Sequence, residues 1–230
     1  MATRMPMFDQ QALSDMLAEA TAKQSAQIRQ AVHDATLKAL QGREMTIQNI
    51  RAALKSVTQA TSMGAAKSPL PNVDVEAMLQ SAMTGMDDAL LRAVEAHRVA
   101  VNKMVEQGAT MQDTVLKQAL DTVEKMEDAL FKAVGQGATG ATAQVSKQWG
   151  AVLEKMQMGG TGTGAQATQT VEQFTAQMQD TMRKSRAATV QAASAFAQSW
   201  GTLVSGVLIG MSDAMKQGSV ATPAAPKSKK

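Results

Sequence analysis

The six residues Gly135-Gln136-Gly137-Ala138-Thr139-Gly140 fit the pattern G-x-G-x-x-G. In a dinucleotide-binding fold such glycines let the backbone approach a pyrophosphate at the start of a helix. That chemistry needs a strand before the glycines and alternating β and α elements around them. Here the preceding MEDALFKAV carries on a helical pattern, so the segment reads as a flexible joint. GTGTGA, Gly160 to Ala165, reads the same way, and no G-x-x-x-x-G-K-[ST] is present.

The other groups with chemical potential are sparse. His33 and His97 are the two histidines, and neither sits in an H-E-x-x-H or a carboxylate-histidine cluster with ligand spacing. Asp87-Asp88 and Glu127-Asp128 are adjacent carboxylates. Neighbours on a helix point apart, so both pairs are expected on solvated faces. Without cysteine there is no thiol nucleophile, disulfide or cysteine metal site, and no G-x-S-x-G elbow occurs. The expectation is a non-enzymatic protein with no catalytic residues, no cofactor and no metal.

Two apolar features remain. Met78, Met83, Met86, Met104, Met111 and Met126 lie on or beside one helical stripe, where methionine suits a loosely filled core or an adaptable surface. WGTLVSGVLIGMSDAM, Trp200 to Met215, overlaps the end of a 26-residue run without charge, Ala187 to Ser212. That length can span about 30 Å of hydrocarbon. Gly206 and Gly210 form a G-x-x-x-G, and Gly201 and Ser205 a small-x-x-x-small, spacings that let helices approach closely. Gln191, Ser194, Gln198, Ser199, Thr202 and Ser205 weigh against spanning. Three readings stay open: a membrane span, a segment lying on an apolar surface, and a helix packed in a bundle or oligomer. The candidate contact residues are Trp200, Leu203, Val204, Gly206, Val207, Leu208, Gly210 and Met211.

The elements that must position these residues read as helices. The chain has 230 residues, 18 methionines, four phenylalanines, two tryptophans and no tyrosine. Ala, Met, Gln, Glu and Lys favour helix, and the aromatic and β-branched residues of strands are scarce. The predicted fold is all-α: long amphipathic helices in an elongated bundle or helical hairpins, with Gly-rich joints and a disordered C-terminal tail. Few bulky residues imply a thin core, which points to self-association or an external apolar surface for stability.

Asp9, Thr46 and Asp74 are predicted helix caps, and Pro69 and Pro71 break the chain between the second and third. From Val75 to Ala133 small or apolar residues recur over 58 residues in 16 steps, about 3.6 per step, the pitch of a straight α-helix. EQGAT at Glu106 to Thr110 leaves open whether this is one helix or two. Val145, Trp149, Val152 and Met156 mark a short helix between the Gly-rich segments. A last helix is expected from about Ala167 to Lys216, with Val171, Phe174, Met178, Met182, Val190, Phe196, Trp200, Leu203, Val207 and Met211 on its apolar side. The predicted regions are 1–134 helical, 135–169 Gly-rich joints with a short helix, 170–216 a long amphipathic helix, and 217–230 a disordered basic tail.

Charge is asymmetric. Residues 1–158 hold 16 basic and 17 acidic side chains, whereas residues 159–230 hold seven and three, concentrated in RKSR and the terminal PKSKK. This suits an anionic surface or a solubilising tail, and nucleic acid is not an expected partner. MATRMPMFDQ lacks the apolar core of a signal peptide, so the expected location is cytoplasmic, extending to a granule or membrane surface.

GREMTIQNIRAAL, GAAKSPLP, GMDDALLRAVEAHR, GTGTGAQATQTVEQ and LVSGVLIGMSDAM resemble a proteobacterial helical family with no assigned function. In composition the chain is also similar to phasins, the amphipathic proteins that coat polyhydroxyalkanoate granules. The shared features are Ala/Gln/Thr-rich helices, no cysteine and an Ala/Pro/Lys tail, here ATPAAPKSKK. This resemblance implies a non-enzymatic protein that self-associates and coats an apolar polymer or lipid surface. The alternatives are a helical scaffold or homo-oligomer that binds a protein partner, and a membrane-embedded oligomer.

Overall fold

The computed structural model describes residues 9–19, 25–41, 43–67, 74–106 and 114–184. Among them are eight helices and no strand: α1 (Gln10–Glu19), α2 (Ser25–Leu40), α3 (Ile47–Lys67), α4 (Val75–Glu106), α5 (Thr114–Glu124), α6 (Met126–Ala138), α7 (Ala143–Gly159) and α8 (Gly162–Lys184). The all-α expectation holds. The predicted caps form as read: Asp9 Oδ1 accepts from the amides of Gln11 and Ala12 at 3.0 Å, Thr46 Oγ1 from Asn49 at 3.3 Å, and Asp74 Oδ1 from Ala77 at 3.0 Å. Each satisfies amides that the first helical turn leaves without an intrahelical partner.

The long stripe is carried by three helices, α4, α5 and α6. Its pitch is that of any α-helix, so it persists across the breaks and hides them. α4 is the central element, with α2, α3, α5, α6, α7 and α8 all packed against it, and 16 of its 32 residues are buried. Its buried set includes Ala82, Gly85, Ala89, Ala93, Ala96 and Ala100, which keep its girth small enough for neighbours on several sides.

Three close helix pairs cross at a glycine. A Cβ on Gly85 of α4 would stand 2.4 Å from the Arg29 carbonyl of α2. On Gly64 of α3 it would stand 2.6 Å from Leu17 Cβ and the Ser14 carbonyl of α1, and on Gly137 of α6, 2.7 Å from Thr58 Cβ of α3. Close approach of backbones replaces bulk, which is how a chain poor in aromatic residues fills its interior. Met78, Met83, Met86, Met104 and Met126 are all buried, which resolves their two readings in favour of the core, while Met111 lies outside the described residues. Trp149 of α7, fully buried, donates its Nε1–H to Ser62 Oγ at 2.9 Å, and that hydroxyl donates to the Thr58 carbonyl at 2.8 Å. A buried indole N–H is costly without such a partner.

The Gly-rich segments differ from the expected flexible joints. Helix α6 runs through Gly135 and Gly137 to Ala138, with Gly137 packed on α3. The second segment is a tight turn at Gly160, φ 74°, after which α8 starts at Gly162, ahead of the expected Ala167. Tertiary packing outweighs the helix cost of about 1 kcal/mol per glycine. The expected extension of the last helix to Lys216 and the disordered tail lie outside the described residues.

Candidate functional site

The expected contact residues Trp200, Leu203, Val204, Gly206, Val207, Leu208, Gly210 and Met211 all lie outside the described residues. Within them, polar groups converge at two places, both on α4.

The first is the start of α8. Asp87, expected on a solvated face, is buried there instead. Its Oδ2 accepts from the Gly162 amide at 2.8 Å and its Oδ1 from the Thr163 amide at 3.0 Å, while its backbone carbonyl accepts from Thr163 Oγ1 at 3.0 Å. Thr161 completes the cap: Oγ1 accepts from the Gly164 amide at 2.9 Å and donates to Glu127 Oε1 at 2.6 Å. The Ala165 amide makes the first intrahelical bond, to the Thr161 carbonyl at 3.1 Å. A carboxylate at the positive end of a helix is stabilising by about 0.3–2 kcal/mol, more when partly buried. All of these leading amides therefore have partners, and two carboxylates stand where a phosphate would sit. The turn is a socket for α8, not a phosphate cradle. Gly137 is likewise committed, inside α6 against α3.

Asp88 points the other way, as adjacent helical residues must. It forms a two-pronged pair with Arg29 of α2, Nε at 2.5 Å and Nη2 at 2.9 Å. Hydrogen bonding to Asp88 raises the Arg29 pKa further. The pair lies in the second place, an open groove of about 630 Å³ between α2 and α4 that is also lined by His33, Gln80 and Arg92. His33 Nδ1 is 3.0 Å from Asp34 Oδ1, closer than the divergence of neighbouring residues implied. Asp128, beside Glu127, forms an i,i+4 pair with Lys132 at 2.5 Å. Both expected solvated pairs are thus corrected in the same way: one member of each is drawn into a tertiary hydrogen bond at the socket.

His97 sits at the centre of α4, fully buried, with Nδ1 3.0 Å from the Ala93 carbonyl. Burial pushes its pKa down to about 4, against the opposing pull of backbone groups of Ala93 and Met45. A neutral ring packed this way is a structural histidine. Among the described residues no group of three or more His, Cys, Asp or Glu could hold a metal ion.

Midway along its length, α8 meets a small apolar cluster, separate from the main core. Phe174 packs there with Val101 and Met104 of α4 and Leu116, Ala119 and Leu120 of α5. Among the described residues the large hydrophobic side chains left exposed are Met63 and Met158, and no helix is long and apolar enough to cross a membrane.

Helices arranged around a buried central helix, with a buried carboxylate socket for the last of them, define an all-α helical bundle. The chain belongs to the family of unknown function DUF6781, whose model matches residues 3–217. No curated protein and no solved structure matches it.

Proposed function

We propose that the protein is a non-enzymatic helical body that carries an apolar C-terminal segment onto a lipid or polymer surface, as phasins do. The observation that carries this reading is where the apolar side chains go. In the bundle they face inward, leaving Met63 and Met158 as the large exposed ones among the described residues. The most apolar stretch of the sequence, Leu203 to Met211, follows α8 within the uncharged run Ala187–Ser212. Trp200, Leu203, Val204, Val207, Leu208 and Met211 are the contact residues of this proposal. Their partition onto an apolar phase gains about 25 cal/mol per Å² covered.

A second reading rests on Gly206 and Gly210, whose spacing suits close pairing of two copies of the chain. Flotation with phosphatidylcholine–phosphatidylglycerol vesicles, and with polyhydroxyalkanoate particles, tests the first reading. The full chain is expected to float, and Val207→Asp or Leu208→Asp to remain in the soluble fraction, because a buried charge costs several kcal/mol. Aspartate variants that float like the parent sink the proposal. Gly206→Leu with Gly210→Leu separates the second reading: floating is kept and cross-linking between copies is lost if the glycines form a pairing face.

A further inference from the structure

We propose that the groove between α2 and α4 binds a small phosphate ester with a hydroxylated body, such as a glycerol phosphate, and that Arg29 and Arg92 hold its phosphate. The inference stands on the folded body alone and goes beyond the surface-binding reading above.

The carboxylates nearest Arg92 along α4 are already taken. Asp88 precedes Arg92 by four residues and Glu95 follows it by three, spacings at which ion pairs ordinarily form along a helix. Neither pair forms. Asp88 is held by both prongs of Arg29, Nε at 2.5 Å and Nη2 at 2.9 Å. Glu95 is held by both prongs of Arg98, at 2.7 and 2.5 Å. Arg92 acts on Glu95 as a nearby charge, and it makes no hydrogen bond or close ion pair among the described residues. It is half-buried and lines the groove. Arg29, fixed in place by Asp88, keeps its Nη1 free of hydrogen bonds among the described residues. Two guanidinium groups therefore share the groove with one carboxylate, and this part of it is net positive. A guanidinium is always charged, and its planar fork matches the oxygens of a phosphate. A phosphate has oxygens enough to accept from Arg92 and from Arg29 Nη1 together.

The rest of the groove sets what the phosphate carries. Ser81 Oγ donates to the Ala77 carbonyl at 2.9 Å, and Thr84 Oγ1 to the Gln80 carbonyl at 3.0 Å. With their hydrogens committed, both hydroxyls offer the groove acceptors only. They repel an anion and suit a ligand hydroxyl that donates. The side-chain amide of Gln80, which makes no hydrogen bond among the described residues, adds a donor and an acceptor. Along the helix axis Thr84 lies about 6 Å from Asp88 and Ser81 about 10 Å from it, so one small polyol phosphate reaches both ends. The groove volume of about 630 Å³ falls within the range of small-ligand sites.

Isothermal titration of the full chain with glycerol 3-phosphate at low ionic strength tests the site. Saturable one-to-one binding is expected, weaker with inorganic phosphate and absent with glycerol. Arg92→Gln should weaken it at least about tenfold, the loss of a charge-assisted hydrogen bond. Arg92→Lys should fall between that variant and the parent, because a point charge replaces a fork. Having no partner in the fold, Arg92 can be replaced without lowering Tm, so a loss of binding is not a loss of folding. Lys132→Gln, which breaks an exposed pair on α6 away from the groove, should bind like the parent. No saturation up to about 10 mM ester overturns the proposal, as does equal affinity of the parent and Arg92→Gln. Inorganic phosphate binding as tightly as the ester overturns the polyol part. Vesicles separate the two sources of this chemistry. Displacement of the ester by phosphatidylcholine–phosphatidylglycerol vesicles, but not by phosphatidylcholine alone, assigns the site to a lipid headgroup; displacement by neither assigns it to the soluble ester. Ester binding by a chain that does not float keeps this site and sinks the surface reading alone.

Discussion

The two glycine-rich segments look alike in sequence and do opposite work. In the first, Gly137 lies within a helix and its missing Cβ is the space that Thr58 and the Lys55 carbonyl of α3 occupy. In the second, Gly160 needs its conformational freedom, φ 74°, and a Cβ there would meet nothing within 4 Å. One glycine is required by a neighbour and the other by its own backbone. Composition cannot distinguish them, because the difference lies in what faces each residue.

The largest effect should come from filling the first space. Gly137→Val places a branched side chain 2.7 Å from Thr58 Cβ and 3.1 Å from the Lys55 carbonyl, which must part α6 from α3. Overpacking of this kind costs about 3 kcal/mol or more, a fall in Tm of roughly 6–12 °C for a chain of this size. A Tm within 2 °C of the parent would mean that the crossing is not close. Acid provides a comparable loss that does not discriminate between the segments. Folded His97 has its pKa pushed down to about 4, below the unfolded value of about 6.5. The unfolded chain therefore binds a proton that the folded chain refuses, and stability falls as pH drops from about 6.5 to about 4, by about 3 kcal/mol in all. Urea midpoints measured from pH 7 to pH 5 should decline, and His97→Gln should flatten that slope. Since α4 underlies both segments, hydrogen exchange should rise in α6 and α8 together; a rise in one alone would show that His97 is not coupled to the common core.

These effects mark what the sequence makes legible. Fold class, the caps at Asp9, Thr46 and Asp74, and the inward face of α4 follow from local rules, namely period, propensity and side-chain acceptors at helix starts. The rule that Asp87 and Asp88 diverge is also correct. The inference that both meet solvent fails because α4 is flanked by α8 on one side of the pair and α2 on the other. No local pattern states how many neighbours a helix has. A signal was nevertheless present: Thr161 followed by three small residues, Gly162-Thr163-Gly164, is a helix start that lets a carboxylate from elsewhere come close. The candidate surface residues from Trp200 to Met211 rest on sequence alone, since they lie outside the described residues.

The second segment should respond both to its partners and to the glycine at its turn. Asp87→Ala removes the acceptor for two amides at the start of α8 and should cost about 2 kcal/mol, read as a urea midpoint. Its loss should appear first in exchange at 162–166, with α6 unaffected, the reverse of Gly137→Val. If both changes loosen α6 equally, the two segments are one cooperative unit and the contrast between them dissolves. Gly160→Ala should cost a comparable amount, about 1–3 kcal/mol, because φ 74° with ψ 172° is a backbone region essentially reserved for glycine, although no neighbouring atom is struck.

The smallest effect should have the opposite sign. Gly135 lies in α6 two residues before Gly137, and a Cβ there would meet nothing within 4 Å. Neither a neighbour nor the backbone asks for glycine at this position. Alanine in a helix interior is better than glycine by up to about 1 kcal/mol, because the unfolded chain loses freedom and the folded chain loses nothing. Gly135→Ala should therefore raise Tm by about 1–4 °C while Gly137→Val, on the same helix, lowers it. A flexible joint would give a different result: replacing either glycine would change stability little and would restrict motion instead. If Gly135→Ala is neutral or destabilising, and Gly137→Val no worse, then the first segment is a joint after all and only the second is built into the fold.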